Sequence, residues 1–384
     1  MSQQQVLELA KAMISTPETD KTAETLSNFL SGKNVNVEVA NYRGKPVVLA
    51  FLGAEEAGEK VDVLMLGHTD VAPPGPEELW DSPPFSAEVE EGVLRGRGAS
   101  DGKGPLASAA VALAELAEGA NLGRSVALLA LPDAENDYES LDAVKDLRAE
   151  SAIVLEPTFT ISAWSAPILC ISQRGGMLIR IVLRGSPAHR ALSWYGENPI
   201  LRLGEVLNAV SELWPSHQYY PTKPGQAQED LLTAFLLGAP TPTPIDIRTE
   251  TAAQGTPTKA EITVYIPTTP NREAEELLNS LKSKVDETNT TIETVKTWKF
   301  LDGNPESWLV KALHRAIFEV SGQHPLYEWY PWPTAANRLI ELGITKDFAI
   351  FGPGDFRLSH RPNEYVGVQD LAQAVEIYKR VLGG

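Results

Sequence analysis

The chain has 384 residues, 43% of them apolar and 22% charged, and its 51 acidic side chains against 33 basic ones give a formal net charge of −18. This surplus of carboxylates repels nucleic-acid phosphates and anionic membranes, whose binding rests on Lys and Arg, so neither is an expected partner. Cys170 is the only cysteine, which excludes an intrachain disulfide and a thiolate-rich zinc site; any metal must be held by His and carboxylates.

In chain order, "QQQVLELAKAM" spaces Val6, Leu7, Ala10 and Met13 as a helix does. The N-terminus lacks a basic start followed by a long apolar core, and no apolar run approaches ~18 residues, so a soluble cytoplasmic protein is expected. "VDVLMLGH", "SVALLALP" and "SAIVLEP" are short apolar runs that end at polar residues and read as strands buried on both faces. "GPLASAAVALAELAEG" between them is an Ala-rich apolar helix closed by Gly119. Alternating strand and helix predicts an α/β fold, with a mostly parallel sheet flanked by helices.

From about Arg174 the pattern changes. "GGMLIRIVLRG" alternates like a half-exposed strand, "NPILRLGEVLNAVSEL" is an amphipathic helix, and "DLLTAFLLG" and "TKAEITVYIP" read as strands. "REAEELLNSLKSKVDE" is a second helix and "TTIETVKTWKF" a last strand, while the Pro/Thr-rich "LGAPTPTPIDIRTETAAQGTP" reads as a loop. The order β-α-β-β-α-β fits a split βαβ domain inserted at 174–299 into a domain made of 1–173 and 300–384.

Ligands of open α/β sheets collect at the carboxyl ends of strands, and the polar residues of this chain gather there. "VLMLGHTD" ends with His68 and Asp70, "LRGRGASDGKG" delivers Asp101 into a Gly-rich turn, "LLALPDAE" ends with Asp133 and Glu135, and "AIVLEP" ends with Glu156. A fifth stretch, "FAIFGPGDFRLSHRPNEY", carries His360. His68 and Asp70 point to the same side of an extended chain, and a carboxylate near an imidazole can orient the ring, directly or by another route. Singly, each has a bland reading: His68 as a satisfied strand-end histidine, Asp101 as a helix N-cap, Glu156 as an exposed strand end. Two histidines and three carboxylates at five strand ends of one sheet are hard to assign to accident.

The segments "MLGHTDVAPPG", "GRGASDGKGP", "PDAE", "VLEPT" and "GPG…SHRPNEY" together resemble, over nearly the whole chain, the motif set of the M20 dinuclear zinc hydrolases. That family includes acetylornithine deacetylases, succinyl-diaminopimelate desuccinylases, aminoacylases and carboxypeptidases. Within it, "GRGASDGKGP", "GPGDFRLSH" and "AVEIYKRVL" look closest to the lysine and ornithine deacylases that act on an amino-group carrier protein. The resemblance implies a zinc-peptidase-like catalytic domain at 1–173 and 300–384, a dimerisation (lid) domain at 174–299, and a homodimer. It implies two Zn2+, with Co2+ or Mn2+ as substitutes: His68 and Glu156 on one ion, Glu135 and His360 on the other, Asp101 bridging, and Asp70 supporting His68. His189 in "GSPAHRA" matches a histidine that reaches into the partner's site and stabilises an oxyanion, although a solvated loop histidine fits the string too. His217, His314 and His324 match no motif.

The implied activity is hydrolysis of the amide bond of an N-acyl amino acid, a dipeptide or a carrier-linked amino acid by zinc-activated water. At "LPDAENDYES" the family has two adjacent glutamates, a general base and then a ligand; aligned through Asp133, Glu135 takes the ligand slot and Ala134 falls on the base. A methyl group cannot accept a proton. Three readings stand: Ala134 as a deliberate inactivating replacement, favoured because every ligand is intact; a natural homologue that binds metal and ligand without turnover; or Asp133, Asp137 or Glu139 as a displaced base. The family's Asp-x-Arg at the end of an insert strand is Tyr265 and Pro267 here, and "WPTAANRL" lacks the acidic residue of the carrier-linked enzymes. Arg174, Arg190, Asn198, Arg248 and Gly354 remain as substrate-binding candidates, and "YEWYPWP" as either an acyl pocket or core and interface packing.

Overall fold

The computed structural model describes residues 2–54, 60–119, 122–158, 166–213, 242–251, 255–268, 274–286 and 288–383. They fall into two compact units, one of Met1–Ser172, Asp302–Glu328 and Thr334–Gly384, the other of Gln173–Leu301 and Trp329–Pro333.

The first unit opens with helices α1 (Ser2–Ile14) and α2 (Thr19–Ser31) and the hairpin of β1 (Asn36–Tyr42) and β2 (Lys45–Leu52). The apolar runs become β3 (Lys60–His68), β6 (Val126–Leu131), β7 (Arg148–Val154) and β14 (Phe348–Ile350). These four lie side by side and parallel, in the order β6-β3-β7-β14. Antiparallel strands extend the sheet on both sides, β2 and β1 beyond β6 and β8 (Ile168–Gln173) beyond β14, and β13 (Leu326–Tyr330) forms the margin. A small separate sheet joins β15 (Tyr365–Gly367), β5 (Val93–Arg95) and β4 (Val89–Glu90).

Helix α3 (Lys103–Glu118) is "KGPLASAAVALAELAE", apolar nearly all round, and a helix with no polar face has to be buried. It packs against β3, α1 and the last helix, Val368–Leu382. Its first turn brings Lys103 into the interior, where Nζ donates to the carbonyl oxygens of Met13 (3.0 Å) and Thr16 (2.5 Å). An ammonium at the C-terminal end of α1 meets carbonyls that have no partner within that helix. Burial, partly offset by nearby carboxylates, lowers its pKa to about 8.

In the second unit β9 (Gly175–Arg184) and β11 (Pro257–Thr268) are the central strands of an antiparallel sheet of order β10-β11-β9-β12, with β12 at Thr290–Trp298. The helices α4 (Pro199–Ser211) and α5 (Ala274–Lys282) cover it, with Leu203, Val206, Val210, Leu277 and Leu281 packed on Ile179, Ile181, Ile262 and Val264. The β-α-β-β-α-β order is present, but with a different second strand. β10 runs over Thr243–Thr251, inside the Pro/Thr-rich stretch expected to be a loop, and "DLLTAFLLG" lies outside the described residues. Proline at 244 misled that reading: β10 is an edge strand, exposed along almost its whole length, where proline and polar residues are tolerated. No helix among the described residues is long and apolar enough to cross a membrane.

Leu113, fully buried in α3, is a test of how closely that helix is packed. Leu113→Ala should lower stability by ~2–5 kcal/mol, read as a lower urea midpoint with an unchanged m value; a loss under ~1 kcal/mol would mean the site collapses around the smaller side chain.

Candidate metal centre

The three parallel strands β6, β3 and β7 end next to one another, and each hands a polar residue to the same place. β3 finishes on His68; β6 leads through Pro132 and Asp133 into the short helical turn Ala134–Asn136, which carries Glu135; β7 continues through Leu155 to Glu156. Asp101 arrives from the Gly-rich loop before α3, and His360 from the loop after β14, in a left-handed backbone conformation with φ of 62°. Two trios result, His68–Asp101–Glu156 and Asp101–Glu135–His360, each with its nitrogen and carboxylate oxygen atoms within 4.8 Å of one another. They share Asp101.

That carboxylate stands between two imidazoles: Oδ1 is 3.3 Å from His68 Nε2 and Oδ2 is 3.3 Å from His360 Nε2, while His360 Nε2 is also 3.2 Å from Glu135 Oε2. The charges respond to one another. Burial raises the pKa of Asp101, but hydrogen bonds from His360 and His68 outweigh it and hold the carboxyl far below the usual range. Burial likewise opposes protonation of His68, yet Asp101 and Asp70 push it well above its ordinary value. The hydrogen bonds to Asp101 and Glu135 lift His360 to about 10.

Gly102 is the N-cap residue of α3, with φ of 100°, so Asp101 is not the helix cap that the sequence also allowed. A Cβ at Gly102 would sit 2.4 Å from His68 Cε1; only glycine lets the loop approach the imidazole so closely. The second nitrogen of His68 is oriented mainly by the main chain: Nδ1 lies 2.9 Å from the Asp70 carbonyl oxygen and 3.4 Å from its carboxylate Oδ1. The Asp70 carboxylate accepts the backbone amides of Ala134 (3.1 Å) and Glu135 (3.0 Å), which joins the end of β3 to the turn after β6.

That turn also fixes its other acids. The Asp133 carboxylate accepts the amide and hydroxyl of Ser140, and Glu139 pairs with Arg43 at 2.7 Å. Asp137 is exposed. Tyr138, which sequence reasoning passed over, has its phenol raised well above the usual value by burial and by the charges of Glu156, Asp101, Glu135 and Asp70, and so belongs to the surroundings of both trios.

Glu364 was also missed, although "SHRPNEY" contains it. It is fully buried, and its Oε1 accepts the amides of Gly98 (3.1 Å), Ser100 (2.9 Å) and Asp101 (2.9 Å) while Oε2 takes Arg97 Nη1 at 2.5 Å. Burial and the charge of Asp101 lift its pKa to about 7. The remaining signal was chemical: a Glu four residues after His360 and an Arg four before Asp101 are the two buried charges that hold these segments together. Gly354, with φ of 115°, packs on Ser100 in the same region.

The other candidates lie in the second unit. His189 is exposed, and its Nδ1 accepts the Ala191 amide at 3.2 Å. Arg190 is exposed, Asn198 caps α4 by accepting the Ile200 amide at 3.0 Å, and Arg248 pairs with Asp246 at 2.6 Å on β10. Arg174 is buried. In the aromatic stretch Trp329 meets Phe300 edge-on at 5.2 Å, and Tyr330 meets Trp332 at 4.7 Å, both within that unit. His217 lies outside the described residues.

The donor set, imidazole nitrogen and carboxylate oxygen with no thiolate, suits zinc or another borderline divalent ion at ~2.0–2.2 Å. Comparison with known proteins points to a family of metal-dependent hydrolases. The sequence profile of peptidase family M20/M25/M40 matches residues 64–383. The succinyl-diaminopimelate desuccinylase of Methylococcus capsulatus is 28% identical over 343 residues, 83% of this chain and 82% of the relative. That of Alkalilimnicola ehrlichii is 28% identical over 336 residues, 82% of each. Among solved structures, the M20 family metallo-carboxypeptidase Sso-CP2 from Sulfolobus solfataricus superposes with a TM-score of 0.79 at 20% identity, covering 98% of this chain and 97% of its own. The dipeptidase Dug1p from Saccharomyces cerevisiae gives a TM-score of 0.79 at 17% identity, covering 99% and 95%.

Glu364→Gln removes one acceptor charge from the Asp101 loop without touching a ligand-type residue, and Zn2+ affinity measured by competition with a chromogenic chelator should fall ~10–100-fold; unchanged affinity would show that the loop holds itself. In protein stripped of divalent ions, His360 has a pKa raised from 6.5 to about 10, so its contribution to stability is full below pH 6.5 and fades as the pH climbs toward 10. Thermal unfolding of the chelator-treated protein should show that decline, and His360→Gln should flatten it. An identical decline in the variant would assign it to other groups.

Proposed function

The chain belongs to peptidase family M20/M25/M40, the amide-bond hydrolases, and from that premise we propose that it is built to cleave an N-acyl amino acid, a dipeptide or a carrier-linked amino acid at two divalent ions, with its general base missing. The observation that carries the reading is the pair of trios sharing Asp101. His68 and Glu156 would hold one ion, Glu135 and His360 the other, and Asp101 both. Two such ions, when bound, lower the pKa of a water and polarise an amide carbonyl.

The protein's own groups prepare the rest. Asp70 and the main-chain carbonyl beside it keep His68 in the tautomer whose Nε2 faces Asp101, and the amides of Ala134 and Glu135 keep Asp70 in place. Substrate hydrolysis further needs a group to take a proton from the water and pass it to the leaving amine, and position 134 offers a methyl. Glu139 is engaged by Arg43 and Asp133 by Ser140, which speaks against either as a displaced base. In this reading Ala134 replaces the family's glutamate and leaves the chain nearly inactive; residues 174–299 form the dimerisation domain, and the exposed His189 of one copy serves the centre of another as an oxyanion donor. Arg174, Arg190, Asn198, Arg248 and Gly354 are the substrate-binding candidates. The desuccinylase names of the relatives favour an N-acyl amino acid as the first substrate to try. Zn2+ is the proposed ion, with Co2+ or Mn2+ as substitutes.

Ala134→Glu should raise the rate of hydrolysis of N-succinyl and N-acetyl amino acids or dipeptides by at least ~10²–10⁴-fold in the Zn2+-loaded protein, the usual worth of a positioned base. A variant that folds, binds Zn2+ and still turns over none of a broad panel would favour the alternative, a homologue that binds metal and ligand without hydrolysis.

A further inference from the structure

Two histidines that match no motif meet at the surface of the first unit. Helix α6 (Trp308–Ser321) carries His314, and the chain then reverses through Gly322, with φ of 76°, to bring His324 back alongside it. His314 Nε2 lies 2.9 Å from His324 Nδ1, and His314 Nδ1 lies 2.9 Å from the Tyr327 hydroxyl. Phe318, one helical turn beyond His314, stacks on the His324 ring with centroids 4.3 Å apart and planes inclined by 12°. Tyr327 meets the His314 ring edge-on at 5.6 Å. Each imidazole is thus held by a neighbouring ring, and the facing nitrogens have room for one hydrogen between them.

We propose that His314 and His324 form a second, separate metal site that takes a divalent ion with a preference for tetragonal nitrogen coordination, Cu2+ ahead of Ni2+. Two nitrogens bonded at ~2.0–2.1 Å stand about 2.9 Å apart when the angle at the metal is 90°, and about 3.3 Å apart when it is tetrahedral. The observed separation is that of a hydrogen bond between the two rings, and an ion would replace its proton once both rings turn their lone pairs toward a common point. In the tautomer in which His314 Nδ1 donates to the Tyr327 hydroxyl, the Nε2 lone pair is left for the ion. Burial and the nearby His324 lower the pKa of His314, which keeps it neutral and ready to ligate at neutral pH. His324 is exposed, which leaves the remaining coordination positions to water, and the net charge of −18 concentrates cations around the molecule.

The test is Cu2+ titration of protein whose carboxylate-rich centre has first been filled with Zn2+, followed by electron paramagnetic resonance. The wild type should bind one Cu2+ with a tetragonal spectrum split by two imidazole nitrogens, and His324→Gln and His314→Gln should each weaken binding at least tenfold. Asp101→Asn, which disables only the other centre, should leave this Cu2+ signal in place. In the wild type with that centre filled by Zn2+, Cu2+ should broaden the ring resonances of His314 and His324 first. An oxygen-only spectrum, equal affinity in the His324→Gln protein, or unbroadened His314 and His324 resonances would overturn the proposal.

Discussion

Asp101 can stand between His68 and His360, 3.3 Å from each, because the loop that carries it is tied down by Glu364, which takes the amides of Gly98, Ser100 and Asp101 and the guanidinium of Arg97. A carboxylate shared by two imidazoles is an arrangement of mutual attraction, and in the proposed reading cations would take the place of the histidine protons. Proton and metal ion are then competitors for the same electron pairs, and metal binding must release protons. The glycines around the loop follow from the same demand: at Gly102 a methyl group would occupy the space of the His68 ring itself.

The residues that face the cluster were legible in the sequence because strand ends are legible. Short apolar runs that stop at His68, Asp133 and Glu156 say where buried strands finish, and in a parallel sheet the finishes lie together. The supporting residues were not legible in the same way. Glu364 sits 263 positions from the Asp101 amide it binds, and nothing local distinguishes it from a surface glutamate. The support of His68 by the Asp70 carbonyl was equally hidden, since a main-chain oxygen leaves no mark in a sequence. In the second unit, β10 was read as a loop because Pro and Thr are poor markers of central strands, and its edge position is a property of the whole sheet.

Position 134 reads differently once its neighbours are placed. Its amide is held by Asp70, Asp133 and Glu139 are occupied by Ser140 and Arg43, and the two trios are complete without it. In the proposed reading, an alanine in place of the family glutamate would remove a proton acceptor and leave untouched the contacts that hold the turn. On that reading, chemistry would be lost without loss of architecture, which is what separates a missing base from a decayed site.

The His314–His324 pair shows by contrast what the carboxylates contribute. Both places bring two imidazoles near one another, but at Asp101 a carboxylate stands between them and at α6 nothing does. With the carboxylate, the rings favour their charged forms and accept hard and borderline ions only by giving up protons; without it, His314 is driven toward the neutral form. An acidic chain has many oxygen ligands for cations and few places where nitrogen alone decides, so selectivity between ions follows from whether a carboxylate is interposed. In these readings the same residue type would serve two coordination chemistries in one unit, set apart by a single neighbouring side chain.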